Sequence, residues 1–500
     1  MTNNDQTQPN IIMIMTDQQR FDTISELGFE QMHTPNMDQL VKNGTTFEQS
    51  FCPGATCVPS RAAIFTGMYP HNTGVYNLFN SWGHQRSWVH DLAENGYHCV
   101  NIGKMHVAPT YDSMGFHERF VVENPQNELA KADGREDEWG RYLSFYDTER
   151  PLNQQLTDPD WMSKYQGVPW ELAEHLHSDV FIGNSALAWI NRHKQTQPVF
   201  LQIGFTGPHE VYDPLPRQLD HYADKKMPDA VWKEDELSEK PPQHYAHQEY
   251  FRRADGDAQV DMANASEKDI QHLRRHYFAK ISTIDEKIGE IMEDLEAKGY
   301  LDNAIVVFTS DHGDMLGDHK LPYKWLMYDA AVKVPLIVWD TRKEQLSKND
   351  DLISLIDIGP TILESVGIKV PEYLDGHSFL NKLYDANGGP HRKHVICEDN
   401  YLTMIRNKSY KLVNYTFQED DGELYDLTND PNELNNLFND DNYKQIKQEL
   451  KMDLLQDILR STYSNATYKN RNTMDDMLYP KDNHYLHPIT KKNPTGWYNR

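Results

Sequence analysis

The sequence predicts an α/β protein: a large, mostly parallel sheet sandwiched by helices, with a smaller C-terminal antiparallel sheet plus helix subdomain. Three observations predict it. Short apolar runs recur from Ile11 onward and break abruptly into polar residues, the pattern of parallel strands buried on both faces. Segments of helical spacing alternate with them, which places helices on the faces of one sheet. Past about residue 370 the rhythm changes to short runs separated by turns, the mark of a small antiparallel sheet.

In order, "IIMIM" from Ile11 to Met15 reads as the first buried strand. Residues 36–43 read as a helix, with Asn36 as N-cap and Gly44 as its stop. A helix over 87–95 leads into the strand "YHCVNIG" at 97–103. "PVFLQIGF" at 198–205 and "NAIVVFTSDHG" at 303–313 repeat the pattern of apolar strand then polar turn. Between them Ile281, Ile284, Ile288, Ile291 and Leu295 give the stretch Glu267–Lys298 one apolar stripe, the spacing of a long amphipathic helix. Residues 354–367 form another helix, with Pro360 near one end or at a kink. "HVICED", "LTMIRN", "SYKLVNY" and "ELYDL" supply the small sheet and a helix follows at about 441–460. The polar tail from about 463 is expected to lie extended over the surface. The charged, Trp-rich segment 123–170 is irregular, and an insert of that length is expected to be functional or a lid.

A net charge of −27 argues against nucleic acid and anionic membranes as partners, because the basic footprint they require is missing. No apolar run approaches the ~20 residues of a membrane span. The opening "MTNNDQTQPN" lacks the basic and apolar regions of a signal peptide, so the chain as it stands is expected in the cytoplasm; had a leader been removed, in the periplasm or outside the cell. Cys52, Cys57, Cys99 and Cys397 are too scattered for a disulfide framework or a CxxC zinc pair. Cys52, Cys99 and Cys397 read as small buried thiols.

Ligands of an open parallel sheet sit beyond the carboxyl ends of its strands. Three strands end in polar clusters: Asp17-Gln18, Lys104 with His106, and Asp311-His312. Two carboxylates, an amide oxygen and an imidazole suit a hard divalent cation, Ca2+ or Mg2+, with the nitrogen leaving Mn2+ open.

"CVPSRAAIFTG" at 57–67 carries the C-x-P-S-R signature and resembles the type I, formylglycine-dependent sulfatases of the alkaline-phosphatase-like superfamily. "TDQQ", "GKMH", "GPHEVYDP", "SDHGDMLGDH", "KVPLIVW" and "ELYDLTNDPNELNNL" are similar to sulfatase segments and stand in sulfatase order. The resemblance implies an alkaline-phosphatase-like catalytic domain over 1–375 and an α+β subdomain with extended tail over 376–500. It implies that a formylglycine-generating maturation enzyme oxidises Cys57 to formylglycine, with Pro59 and Arg61 in its recognition signal. The aldehyde takes up water to a geminal diol; one hydroxyl attacks sulfur, and the second lets the adduct collapse and release sulfate. Asp17, Gln18, residue 57, Asp311 and His312 are the implied metal ligands, with Ca2+ the expected ion. Lys104 and Lys324 are implied to hold sulfate oxygens, with Lys320 the competitor for the second place. His106 is implied to take the proton of the diol and His209 to serve as general acid for the leaving alcohol. Arg61 is implied to hold the diol and metal carboxylates in place. Gln18 departs from the second Asp of many sulfatases. Gln there, with His after the second metal Asp, occurs in phosphonate monoester hydrolases of the same superfamily.

Substrate is read from loops. The stretches 75–88 and 135–170 supply Trp, His, Arg and Asn, and Asn77 stands close enough after the formylglycine helix to reach a pocket. The expectation is a sulfatase acting on a sulfated carbohydrate, an oligosaccharide from an anionic polysaccharide. The alternatives are a phosphonate monoester or phosphodiester hydrolase, or an aryl or choline sulfatase, on the same scaffold.

Overall fold

A computed structural model of the chain describes residues 8–123, 136–151, 154–254, 258–417 and 421–469. Eight strands form the main sheet: β1 (Asn10–Asp17), β2 (Thr45–Phe51), β3 (His98–Gly103), β4 (Glu118–Val121), β5 (Val199–Pro208), β6 (Ala304–Ser310), β7 (Leu336–Asp340) and β8 (Lys348–Ser354). Their order is β4-β3-β5-β1-β6-β7-β2-β8, and β7 alone runs antiparallel to its two neighbours. The four strands β3-β5-β1-β6 are mutually parallel, so their carboxyl ends share one edge.

Alternation along β1 explains the layers. Ile11, Met13 and Met15 enter one core, and Ile12 and Ile14 enter the other. The first is covered by α2 (Cys57–Thr66), α3 (Trp88–Glu94) and α6 (Ile358–Ser365), through Val58, Phe65, Trp88, Leu92 and Ile362. The second is covered by α1 (Pro35–Asn43), α4 (Ser178–Arg192) and α5 (Glu267–Ala297), through Leu40, Ile182 and the Ile281–Leu295 stripe. The smaller sheet, β9 (Val395–Asp399), β10 (Leu402–Arg406), β11 (Tyr410–Tyr415) and β12 (Gly422–Asp426), is fully antiparallel. Its Cys397, Met404 and Val413 face the first core, while Ile396, Ile405, Leu412 and Leu424 meet α7 (Lys444–Lys469) through Leu450 and Leu454.

Several local expectations are corrected. α1 starts at Pro35, whose fixed φ suits the first helical position, and its N-cap position is Thr34. Asn36 lies inside the helix and donates from Nδ2 to Asp285 at 2.9 Å. The segment 354–367 opens with a 3-10 turn, Leu355–Asp357, before α6, while Pro360 sits near one end of the helix as expected, in the first turn, where its missing N–H costs nothing. α7 continues to Lys469, past the expected start of the extended tail; residues 470–500 lie outside the described residues. The segment 123–170 contains short helices at Glu138–Phe145 and Gln154–Thr157, and its Trp139, Trp161 and Trp170 are core residues, as are Trp82 and Trp88. Residues 124–135 and 152–153 of that segment lie outside the described residues. Cys52, Cys99 and Cys397 are buried free thiols, as expected.

Candidate active site

Every strand of the parallel quartet delivers a polar residue to the shared edge. Asp17 ends β1 and Asp311 follows β6; Lys104 follows β3 and His209 follows β5. Gly103 makes the β3 exit: its φ is +103°, and a Cβ there would stand 2.0 Å from the Gly204 carbonyl oxygen of β5. Cys57 arrives from the side as the first residue of α2, a helix whose ten residues are all buried. The loop before it turns tightly at Gly54, where a Cβ would lie 2.7 Å from both Pro59 Cβ and the Ser60 nitrogen.

Around Cys57 Sγ stand His312 Nε2 at 3.1 Å, Lys324 Nζ at 3.5 Å and Asp17 Oδ1 at 3.8 Å. Arg61, one helical turn further, donates from Nε to Asp311 Oδ2 at 2.7 Å, from Nη2 to Asp17 Oδ2 at 3.1 Å and from Nη1 to the Lys104 carbonyl at 3.0 Å. Lys104 pairs with the same Asp17 carboxylate. Ser60 donates to the Asp311 carbonyl at 2.6 Å, a local bond that ties α2 to β6. Arg61 and Lys104 are completely buried; His106 and His209 are the most exposed of the group, which puts the two histidines at the opening.

Ligand atoms of Asp17, Cys57, Asp311 and His312 all lie within 4.8 Å of one another. His312 donates from Nδ1 to the Gly313 carbonyl at 2.9 Å, which leaves the Nε2 lone pair facing the cluster. Two carboxylates and a neutral imidazole converging at this spacing fit a divalent cation. The Gln18 amide is held in one orientation. Its Nε2 donates to Glu210 at 2.8 Å and Asp314 at 2.6 Å, so its oxygen turns to the Lys324 ammonium.

The electrostatics follow from burying these charges together. Burial works to raise the Asp17 carboxyl, but Lys104, His209, Arg61 and Lys324 hold it well below the usual carboxylate range. Burial, seconded by Asp17, pushes the Cys57 thiol up to about 12 against the pull of Lys104 and Lys324, so the unmodified thiol is a poor nucleophile near neutral pH. Burial works against the Lys324 ammonium, yet Cys57, Glu210, Asp17 and Asp311 raise its pKa above the ordinary lysine value. His106 and His209 are held well below the ordinary histidine value, by burial first and then by Lys104 and Lys324 respectively.

One expected competitor stands elsewhere. Lys320 lies 4.4 Å over the Trp232 ring and donates to the Ala265 carbonyl, so Lys324 is the lysine that reaches Cys57. Asn77 accepts the Phe79 N–H at 2.9 Å and shapes a turn on a neighbouring loop. Three residues were missed. Glu210 and Asp314 lie inside quoted motifs beside His209 and Asp311, a usable signal. Asp399, at the end of β9, accepts from the Thr56 hydroxyl at 2.6 Å, and nothing in its local sequence points to a site more than 300 residues away.

A family model described as Sulfatase matches residues 9–368, and one described as N-sulphoglucosamine sulphohydrolase, C-terminal, matches 317–460. An arylsulfatase of Clostridium perfringens is 29% identical, covering 90% of this chain and 94% of the relative. An N-acetylglucosamine-6-O-sulfatase of Bacteroides thetaiotaomicron is 25% identical, covering 90% and 86%. The phosphonate monoester hydrolase of Agrobacterium radiobacter shares the fold with a TM-score of 0.75 at 22% identity, covering 91% and 96%. A protein solved with its substrate D-glucosamine-2-N,6-O-disulfate shares it at 0.71 and 23%, covering 92% and 99%.

Proposed function

Since the chain belongs to the sulfatase family and is a sulfuric ester hydrolase, we propose that it cleaves a sulfate ester from a sulfated carbohydrate, with residue 57 as nucleophile after oxidation of Cys57 to formylglycine. The observation that carries this reading is the placement of Cys57 at a helix N-terminus, between two lysines and a group of metal-ligating side chains. Formylglycine supplies an aldehyde whose hydrate bears the attacking hydroxyl, chemistry that a thiol pushed to about 12 does not offer. A divalent cation, with Ca2+ expected and Mg2+ or Mn2+ as alternatives, would be held by Asp17, residue 57, Asp311 and His312 and would supply charge neutralisation at the sulfuryl group; Gln18, the fifth expected ligand, turns its amide oxygen to Lys324 in this structure and would have to release it to join them.

The chain's own residues do the rest. Lys104 and Lys324 bind sulfate oxygens and offset charge as the ester bond lengthens. The N-terminus of α2 adds partial positive charge at the same place. Arg61 locks Asp17 and Asp311 in register through its two ion pairs. His106, lacking a charge of its own, takes a proton from residue 57. His209 gives one to the departing alcohol; its Nδ1 is anchored on the Glu210 carbonyl at 2.8 Å and its other nitrogen serves as donor once protonated. The maturation enzyme that supplies the formylglycine is an expected partner.

The sugar assignment is supported by the relatives that bear sugar-sulfatase names; the burial of Lys104 and Lys324, with His106 and His209 more exposed, is consistent with a sulfate held inward and its alcohol toward solvent. The test is turnover of defined sulfated mono- and oligosaccharides against 4-nitrophenyl sulfate and choline sulfate. Preference for a sugar sulfate by kcat/KM is expected; turnover of aryl or choline sulfate alone would overturn it. Gln18 in place of a carboxylate favours a second reading, phosphonate monoester hydrolysis. Sulfate and phosphonate esters of one alcohol separate the two.

A further inference from the structure

The loop 76–83 is pinned at both ends to segments that build the site. At one end the Tyr76 carbonyl accepts the Asn400 N–H at 2.7 Å, and Asn400 adjoins Asp399, which holds Thr56 beside Cys57. At the other, Trp82 is fully buried and donates from Nε1 to the His106 carbonyl at 2.9 Å. Between these anchors the loop is stitched by side-chain amides. Asn80 accepts from the nitrogens of Tyr76 and Asn77, and Asn77 accepts from that of Phe79. A loop held this firmly nevertheless presents Phe79 at 96% exposure. Tyr401, next to Asn400, is 61% exposed, and its ring centroid lies 5.0 Å from that of Phe417, which is 77% exposed. The two segments tied to the site by these bonds therefore carry exposed aromatic rings that contribute little to the core.

We propose that Phe79, with the Tyr401–Phe417 pair, forms a platform that binds the sugar unit next to the one whose sulfate is cleaved. The inference rests on the sulfated-carbohydrate reading above. The sulfate-binding groups are buried, so the alcohol side of the substrate stays at the opening and its continuation lies on the rim. Exposed aromatic rings grouped on segments anchored to a site are candidates for binding what extends from it. The aliphatic face of a pyranose covers such rings while its hydroxyls stay in water. An uncharged platform also suits this chain: with a net charge of −27, further contact to a polyanion gains nothing from the protein's general field.

The test compares wild type, Phe79→Ala and Tyr401→Ser on two substrates. One is whichever of N-acetylglucosamine 6-sulfate, N-acetylgalactosamine 6-sulfate and a 2-sulfated uronate turns over fastest; the other is the tetrasaccharide ending in that unit. Wild type is expected to favour the tetrasaccharide in kcat/KM, and each variant to cut that preference about tenfold, chiefly through KM, while melting at the wild-type temperature. No preference in wild type, or a preference unchanged within twofold in both variants, overturns the platform and leaves the sulfatase reading standing. If 4-nitrophenyl sulfate turns over and no sugar sulfate does, the carbohydrate reading falls and takes the platform with it.

Discussion

At the scale of single residues the account depends on charges forced together. Asp311 serves two partners, the Arg61 guanidinium and the metal-ligand cluster. Asp311→Asn is expected to weaken metal affinity at least tenfold by elemental analysis after dialysis, and to lower the melting temperature because Arg61 loses one of its two carboxylates. Metal content equal to wild type would remove Asp311 as a ligand. His209 is held well below the ordinary histidine value, by burial and then Lys324, so its proton is scarce at neutral pH. An acid with a depressed pKa is more often charged as pH falls. The kcat/KM for sugar or alkyl sulfates is therefore expected to rise as pH drops below neutrality, and this limb should be missing with 4-nitrophenyl sulfate, whose leaving group needs no proton. His209→Ala should cost sugar sulfates about a hundredfold and the nitrophenyl ester less than tenfold. Equal losses on both would take His209 out of the acid role.

At the scale of elements, strands and helices that obey one periodicity were legible in the sequence, and junctions were not. The apolar strands β1, β3, β5 and β6 and the stripe of α5 fall close to where the pattern puts them, because burial on both sides leaves no other residue types there. The α1 start differs from the expected one because Asn36, though a good N-cap type, follows Pro35, which sets the first turn. Lys320 and Lys324 were hard to separate because a loop with left-handed residues at Leu316, His319, Lys320, Tyr323 and Trp325 sets their directions, and no periodicity encodes that path. Asp399 was invisible because it comes from a separate sheet. Gly103 tests the junction logic. Gly103→Ala must adopt φ near +103° with its Cβ against the Gly204 carbonyl, so it is expected to destabilise the fold by at least about 3 kcal/mol in urea unfolding and to move Lys104. Wild-type stability would show that the β3 exit is not constrained as described.

For the whole molecule, buried ionisable groups tie stability to pH, with opposite signs. His247, whose Nε2 donates to the Lys324 carbonyl, and His276 are both lowered to about 4, chiefly by burial. Their contribution is full above about pH 6.5 and is lost as pH falls toward 4, because the unfolded chain takes up protons the folded one refuses. Asp285 and Asp399, raised to about 7 mainly by burial, act the other way: the folded state holds their protons and gains as pH falls through 7. The clean measurement is a difference. His247→Gln keeps a donor to Lys324, and its stability relative to wild type is expected to improve between pH 6.5 and 4.5 by up to about 1.4 kcal/mol per pH unit. A constant difference would mean that His247 titrates normally. Beyond stability, the fold brings β1, β3, β5, β6, the N-terminus of α2 and the end of β9 to one basin, and makes residue 57 its centre. Mass analysis of the tryptic peptide 43–61, from protein made with and without the maturation enzyme, tests that centre most directly when paired with turnover. The account predicts an aldehyde in place of the Cys57 thiol, activity proportional to the modified fraction, and none in Cys57→Ala. Full turnover by protein whose Cys57 is entirely unmodified would contradict it.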